Sequence, residues 1–241
     1  QVKISNTSRH LIFLMGGEIL TGCRQDRILA GDILLAPGTR DLLAPVYCVE
    51  HGRWSHTSSS FTSKQNLGTP ALRATAQEKS TSAQSEIWSR IADQNRKMGV
   101  SSDTEAYQEA YEDERVRVAI QTIEKKMRNF PRLDQEAVGV VIGLNDQLVS
   151  VDIFANRVLF AKQWPKILRS TAFSSIGHDK GPMLKQERAF EFLRSLLNRR
   201  YGTRAGLDLG IEYTSIDPDA NIQALVYEQG VMHLSGFPQR Y

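Results

Sequence analysis

A chain of 241 residues is long enough to bury one substantial core or two small ones. Apolar residues make up 41% and charged residues 24%, and 30 basic against 27 acidic residues leave a net charge of +3. That balance argues against a nucleic-acid-binding surface, and no apolar run nears the ~20 residues of a membrane span.

The two cysteines, Cys23 and Cys48, cannot form a disulfide framework and fit a reducing, cytoplasmic compartment; a single bridge between them stays open. No secretory signal is seen, and because the chain starts at Gln1 rather than Met, an upstream segment is expected to have been removed or omitted. The Arg-rich stretch from Arg188 to Arg204 reads as a solvated helix face.

Residues 1–54 read as short strands. The run Leu11–Met15 stops at Gly16-Gly17, Glu18–Gly22 and Gln25–Leu29 follow, Ile33–Ala36 ends at Pro37-Gly38, and Val46–Glu50 closes the series. Strands so short and close suggest an antiparallel sandwich or a small barrel. Alternation places Gln25, Arg27 and Leu29 on one face, and Val46, Cys48 and Glu50 on one face of the later strand. Residues 55–80, rich in Ser, Thr, Gln and Gly, read as a loop that Phe61 alone could pin.

A helix is expected from Ser82 to Met98, stopped by Gly99, with Ala83, Ile87, Ile91 and Met98 inward and Gln84 and Trp88 beside them. Ser102-Asp103-Thr104-Glu105 has the chemistry of a capping box opening the next helix. In that helix the face of Ala106, Tyr107, Ala110 and Tyr111 lies about 150° from the face of Val116, Ile120, Ile123 and Met127, so a break is expected near Glu112–Arg115, an unbroken helix touching two layers being the alternative. Pro131 closes the segment.

Ala137–Leu144 and Gln147–Phe154 flank Asn145-Asp146 as a hairpin, which leaves Asp152 among bulky apolar residues and in need of a partner. A helical stretch broken at Trp164-Pro165 follows, then a loop over Ser174–Pro182 and a helix over Met183–Arg200 facing inward through Ala189, Leu193, Leu196 and Leu197. Gly206–Ile216, Ile222–Glu228 and Val231–Ser235 read as terminal strands, the last two joined at Gln229-Gly230. The order is α+β, with an N-terminal antiparallel short-strand unit, central helices, a hairpin, further helices and C-terminal antiparallel strands. One domain over 1–241 is expected, divisible into a β-rich part (1–54), a loop (55–80) and a mixed part (80–241).

No Walker loop, strand-borne GxGxxG or nucleophile elbow is present. The five histidines lack zinc-ligand spacing, and neither metal nor cofactor is expected. Arg27 and Arg53 can grip a carboxylate or phosphate through their planar forks, and the same segments offer Glu18 and Glu50 as structural ion-pair partners. Glu50 or Glu18, if desolvated, suits general acid/base work, and a salt bridge is the plainer role. Cys48 is a candidate thiolate or simply a small core residue. Trp54 can stack a ring or plug a rim. Gln84 can orient a ligand or hold a backbone group, and Asp152 can act as an acid or cap a turn.

The run from Gly17 to Leu29, with Glu18, Gln25 and Arg27, then Leu34–Gly38 and Val46–Trp54, with Cys48, Glu50 and Arg53, resembles an uncharacterised bacterial and archaeal family. That family is named for its association with ADP-ribosylglycohydrolases and rhodanese-phosphatases. The resemblance continues through Gln84-x-x-x-Trp88, Ser101–Tyr111, Gly139–Ile142 and Val151–Phe154, and fades near residue 176. The chain departs from the pattern at Gly17 and Cys23, neither of which belongs to the polar set.

The resemblance implies a link to ADP-ribose or NAD-derived metabolites. Because these residue types sit on the same short motifs, Arg27 and Arg53 are expected to hold phosphates, with Trp54 stacking, Glu18 or Glu50 as acid/base, and Gln25, Gln84 and Asp152 as further ligand contacts. The expected partner is a small anionic metabolite, with no nucleic acid and no membrane. The competing expectation is a non-catalytic scaffold or interaction module built on a buried ion-pair network. A thiol enzyme centred on Cys48 ranks third.

Overall fold

A computed structural model describes residues 1–53, 55–179 and 181–238. Turn-forming Gly, Pro and Asp residues chop the N-terminal third into eight short strands, β1 (Val2–Ile4), β2 (Ile12–Leu14), β3 (Glu18–Gly22), β4 (Arg27–Leu29), β5 (Ile33–Leu35), β6 (Leu42–Ala44), β7 (Val46–Cys48) and β8 (Phe61–Leu67). They pair antiparallel as β1-β6, β2-β5 and a four-stranded sheet β7-β4-β3-β8. β1, β6 and β8 are strands beyond those expected. β8 lies inside the stretch read as a loop: its sequence FTSKQNL lacks apolar alternation, and Gln65, at φ 60°, bulges so that Asn66 and Leu67 turn inward.

The same stretch also holds the first helix, α1 (Pro70–Glu78). Pro70 sits where a helix needs no N–H, and the Thr69 side chain accepts a hydrogen bond from the Leu72 amide. α2 (Ala83–Met98) ends as expected at Gly99, whose left-handed backbone lets the amides of Gly99 and Val100 reach the carbonyls of Arg96 and Asn95. The break between α3 (Tyr107–Glu112) and α4 (Glu114–Met127) falls at Asp113, whose carboxylate caps the amides of Arg115 and Val116. The capping box does not form. Glu105 takes φ 51°, α3 starts only at Tyr107, and the Ser102 hydroxyl accepts from the Ala106 amide instead.

The second half forms β9 (Gly139–Leu144), β10 (Gln147–Phe154), α5 (Arg157–Ser175), α6 (Gln186–Leu197), β11 (Tyr201–Ala205), β12 (Ile211–Ser215), β13 (Ala220–Tyr227) and β14 (Gly230–Pro238). Its strands make one antiparallel sheet in the order β11-β12-β13-β14-β10-β9. α5 does not break at Trp164-Pro165 but runs through it. Phe160, Trp164, Ile167 and Leu168 are buried on both sides of the proline, and packing at both ends outweighs the lost backbone bond. In α6 the inward residues are Phe192, Leu193 and Leu196, while Leu197 is 86% exposed.

Two cores meet along α5. Its C-terminal end (Ala172, Phe173) packs with Ile19, Ile28, Ile87, Ile91, Tyr107 and Tyr111, whereas Phe160 to Leu168 pack with Met15, Leu67, Val149 and Phe154. The fold is α+β, with strands at both ends of the chain and helices between them. Among the described residues no helix is long and apolar enough to cross a membrane.

Candidate functional site

The second polar motif leaves β7 at Cys48 and bends away from the sheet. His51 and Gly52 both donate their amides to the Thr104 carbonyl (3.1 and 2.9 Å), and at Gly52 the loop approaches so closely that a Cβ would stand 3.0 Å from Thr104 Cα. This turn places Glu50 beside Asp26, which closes the tight turn after β3 by accepting the Gly22 amide at 2.9 Å. Glu50 Oε2 accepts the Asp26 amide at 3.1 Å.

Arg53 binds both carboxylates. Its Nε and Nη2 donate to Glu50 at 2.7 and 2.6 Å, and the same Nη2 reaches Asp26 at 3.2 Å. Its Nη1 donates to the carbonyls of Cys23 and Ser55 and to the Thr57 hydroxyl. Glu50 and Asp26 are buried. Burial, reinforced by the neighbouring Glu50 charge, pushes the Asp26 carboxyl above its ordinary range, against the opposing pull of the Gly22 amide. The hydrogen bonds that Arg53 donates to Glu50 raise its guanidinium above the ordinary value.

The triad opens on a cleft of about 420 Å³. Thr21, Thr57, Ser58 and Thr62 line it, together with Lys64, Gln108, Glu109 and Glu112. α3 is held over the cleft because the hydroxyls of Tyr107 and Tyr111 both donate to the Leu67 carbonyl of β8 (3.2 and 3.3 Å).

The remaining motif residues lie elsewhere. Glu18 is buried and bound to Lys166 of α5 at 2.8 Å and to the Ser63 hydroxyl. Its partner is thus Lys166, not Arg27. Arg27 faces Cys48 across β4 and β7, where its guanidinium contacts the sulfur and also donates to Gln25 Oε1 at 3.2 Å. Cys23 and Cys48 are free thiols, and the Cys48 sulfur meets the Arg27 guanidinium. Gln84 bonds both the amide and the carbonyl of Cys48 (2.8 and 2.9 Å), clamping the end of β7 to α2. Trp54 lies outside the described residues.

Asp152 is the centre of a second charged group, fully enclosed. Arg73 of α1 grips it with two bonds of 3.1 and 2.6 Å, and His233 of β14 meets it at 3.1 Å. The other nitrogen of His233 meets Asp32 at 2.7 Å, and Asp32 in turn accepts the Gly16 amide at 2.7 Å. Burial alone would raise the Asp152 carboxyl, but Arg73 and His233 outweigh it and hold it well below the usual range. Burial alone would lower His233, but Asp32 and Asp152 outweigh it and raise the imidazole to about 9. The result is an alternating row of buried negative, positive, negative and positive groups, Asp32, His233, Asp152 and Arg73.

Of the residues singled out in the sequence, the cleft therefore brings together Glu50 and Arg53. Asp26, Lys64 and Gln108 join them without having been singled out. Asp26 sits inside the first motif, between Gln25 and Arg27, and its type and place in a tight turn were the available signal. Lys64 carried none, because its strand was not legible.

Comparison with curated proteins and with solved structures gives no significant match. A family model described as the ARG and Rhodanese-Phosphatase-superfamily-associated Protein domain matches residues 1–237, which carries the likeness past residue 176 and through the C-terminal strands. The chain belongs to that family.

Proposed function

We propose that the domain binds a small anionic ligand of the nucleotide-sugar kind, an ADP-ribose or NAD derivative, in the cleft at Asp26, Glu50 and Arg53. The observation that carries this reading is the paired carboxylates, held by one arginine and opening on a hydroxyl-lined cleft. Carboxylate oxygens and threonine hydroxyls are suited to receive sugar hydroxyls, and the cleft has the size of small-molecule sites. The family's association with ADP-ribosylglycohydrolases supports the choice of sugar.

In this reading Arg53 organises the carboxylates instead of clamping a phosphate, since its donors already have acceptors. Two carboxylates of unlike environment also suit acid/base work on a glycosidic bond, with Asp26 as the proton donor. A scaffold role is favoured by a different observation, that the buried carboxylates of Glu18, Asp152 and Glu50 each have a cationic partner.

Calorimetric titration with ADP-ribose, NAD and ribose 5-phosphate separates the two. Binding is expected, and is expected to weaken at least tenfold in Thr62→Val and Glu50→Gln, the first on the exposed cleft rim and harmless to the fold. Absence of heat and of any thermal shift with all three ligands would leave the scaffold reading standing alone.

A further inference from the structure

A second cavity of about 270 Å³ adjoins the first, and Lys64 and Gln108 line both. Its character is the reverse of its neighbour's. Lys64 of β8, Arg117 of α4 and Arg169 of α5 converge on it from three separate elements, with Glu124 the acidic residue in its wall. The first cleft instead gathers Asp26, Glu50, Glu109 and Glu112 around Arg53.

The basic cavity is held in shape from behind by buried amides. Arg169 donates through Nε to Glu124 at 2.9 Å and through Nη1 to the Asn66 side-chain oxygen at 3.2 Å. Asn66, 4% exposed, donates to Gln108 at 2.9 Å, and Gln108 donates to Glu112, which also meets Lys64. This ladder fixes the plane of the Arg169 guanidinium while leaving Nη2 with no acceptor among the described residues. Arg117 is tied to the exposed Glu114. A fixed guanidinium with spare donors, flanked by a second arginine and a lysine, suits the several oxygens of a phosphate.

We propose that the two cavities are one groove of divided character, and that the basic part, built on Lys64, Arg117 and Arg169, seats the phosphate or diphosphate of a ribose phosphate ester whose sugar hydroxyls face Asp26 and Glu50. This rests on the ligand reading given above and supplies what that reading lacked, a place for the phosphate once Arg53 is taken up by carboxylates. Lys64, at the seam, is positioned to meet the ester oxygen side of the ligand.

The test is titration of the whole chain with inorganic pyrophosphate, ribose 5-phosphate and ADP-ribose, in wild type and in Arg117→Gln, Lys64→Gln, Arg169→Lys and Thr62→Val. Arg117 and Lys64 are more than half exposed, so their variants are expected to keep the wild-type thermal midpoint. Each is expected to weaken ribose 5-phosphate at least tenfold and to flatten the salt dependence of its binding. Arg169→Lys keeps the charge but loses the fork, and is expected to weaken pyrophosphate similarly.

The outcomes separate cleanly. ADP-ribose binding that Thr62→Val weakens but the three cation variants leave unchanged overturns the phosphate seat and keeps the ligand reading. Pyrophosphate binding lost in the cation variants, with the ribose adding no affinity, keeps the phosphate seat and overturns the sugar assignment and thus the divided groove. No binding of any probe overturns both.

Discussion

His233 shows how far a single residue's chemistry is set by its neighbours. Held between Asp32 and Asp152 it stays protonated in the folded protein to about pH 9, against an unfolded value near 6.5. Its contribution to stability is therefore fully present below about pH 6.5 and is lost as pH rises through 9. Asp152 works in the opposite sense: its depressed carboxyl contributes above the ordinary aspartate range and loses that contribution as pH falls below it. Unfolding free energies from denaturant titrations at pH 6 to 10 should fall on the alkaline side, by an amount of order 3 kcal/mol, and His233→Gln should flatten that limb. Asp152→Asn is expected to cost about 3–5 kcal/mol, because it leaves Arg73 buried without its counter-charge and His233 with Asp32 alone. Gln84→Ala should cost about 1–2 kcal/mol through its two lost bonds to Cys48, with ligand titrations unchanged because Gln84 does not line the cleft.

At the scale of elements, local chemistry explains where helices start and stop better than it explains the strands. The change of apolar face between Tyr111 and Val116 required a break, and Asp113 supplies both the break and the cap of α4. Asp113→Ala should lower stability by about 1 kcal/mol, read as a drop in the thermal midpoint, while leaving α3 and the groove intact. Pro165 misled in the other direction, since a proline reads locally as a boundary, whereas α5 is held straight through it by two cores. Gly17, at φ 91°, is needed because a Cβ there would collide with Arg73. Gly17→Ala should therefore disturb the Arg73–Asp152 bonds, detectable as a weakened alkaline and acid stability profile together.

For the molecule as a whole, the contacts that cross from one end of the chain to the other matter most. His233 joins Asp32, the Asp208 carboxylate accepts from the Ala36 amide and the Thr39 hydroxyl (2.8 and 2.6 Å), and Leu209 donates to the Leu34 carbonyl. We propose on these grounds that residues 1–54 and 80–241 fold as one unit. Calorimetry should show one transition, and a chain cut at residue 176, losing β14 and with it both His233 and the partner of β10, should lack cooperative unfolding and protected amides.

The amino-acid order by itself determined the α+β class, the β9–β10 and β13–β14 hairpins, the helix end at Gly99 and the break near Asp113, because each depends on residues a few positions apart. It also offered Glu18 and Glu50 as partners for Arg27 and Arg53, and marked Asp152 as a charge needing a partner. Only the tertiary structure decided which charges meet. Glu18 finds Lys166 and not Arg27, Asp152 finds Arg73 and His233, and Asp26 and Lys64 join Glu50 at the cleft. Such pairings join residues on different elements, far apart along the chain, and periodicity carries no information about them. It reports which face of an element is buried, but not against what.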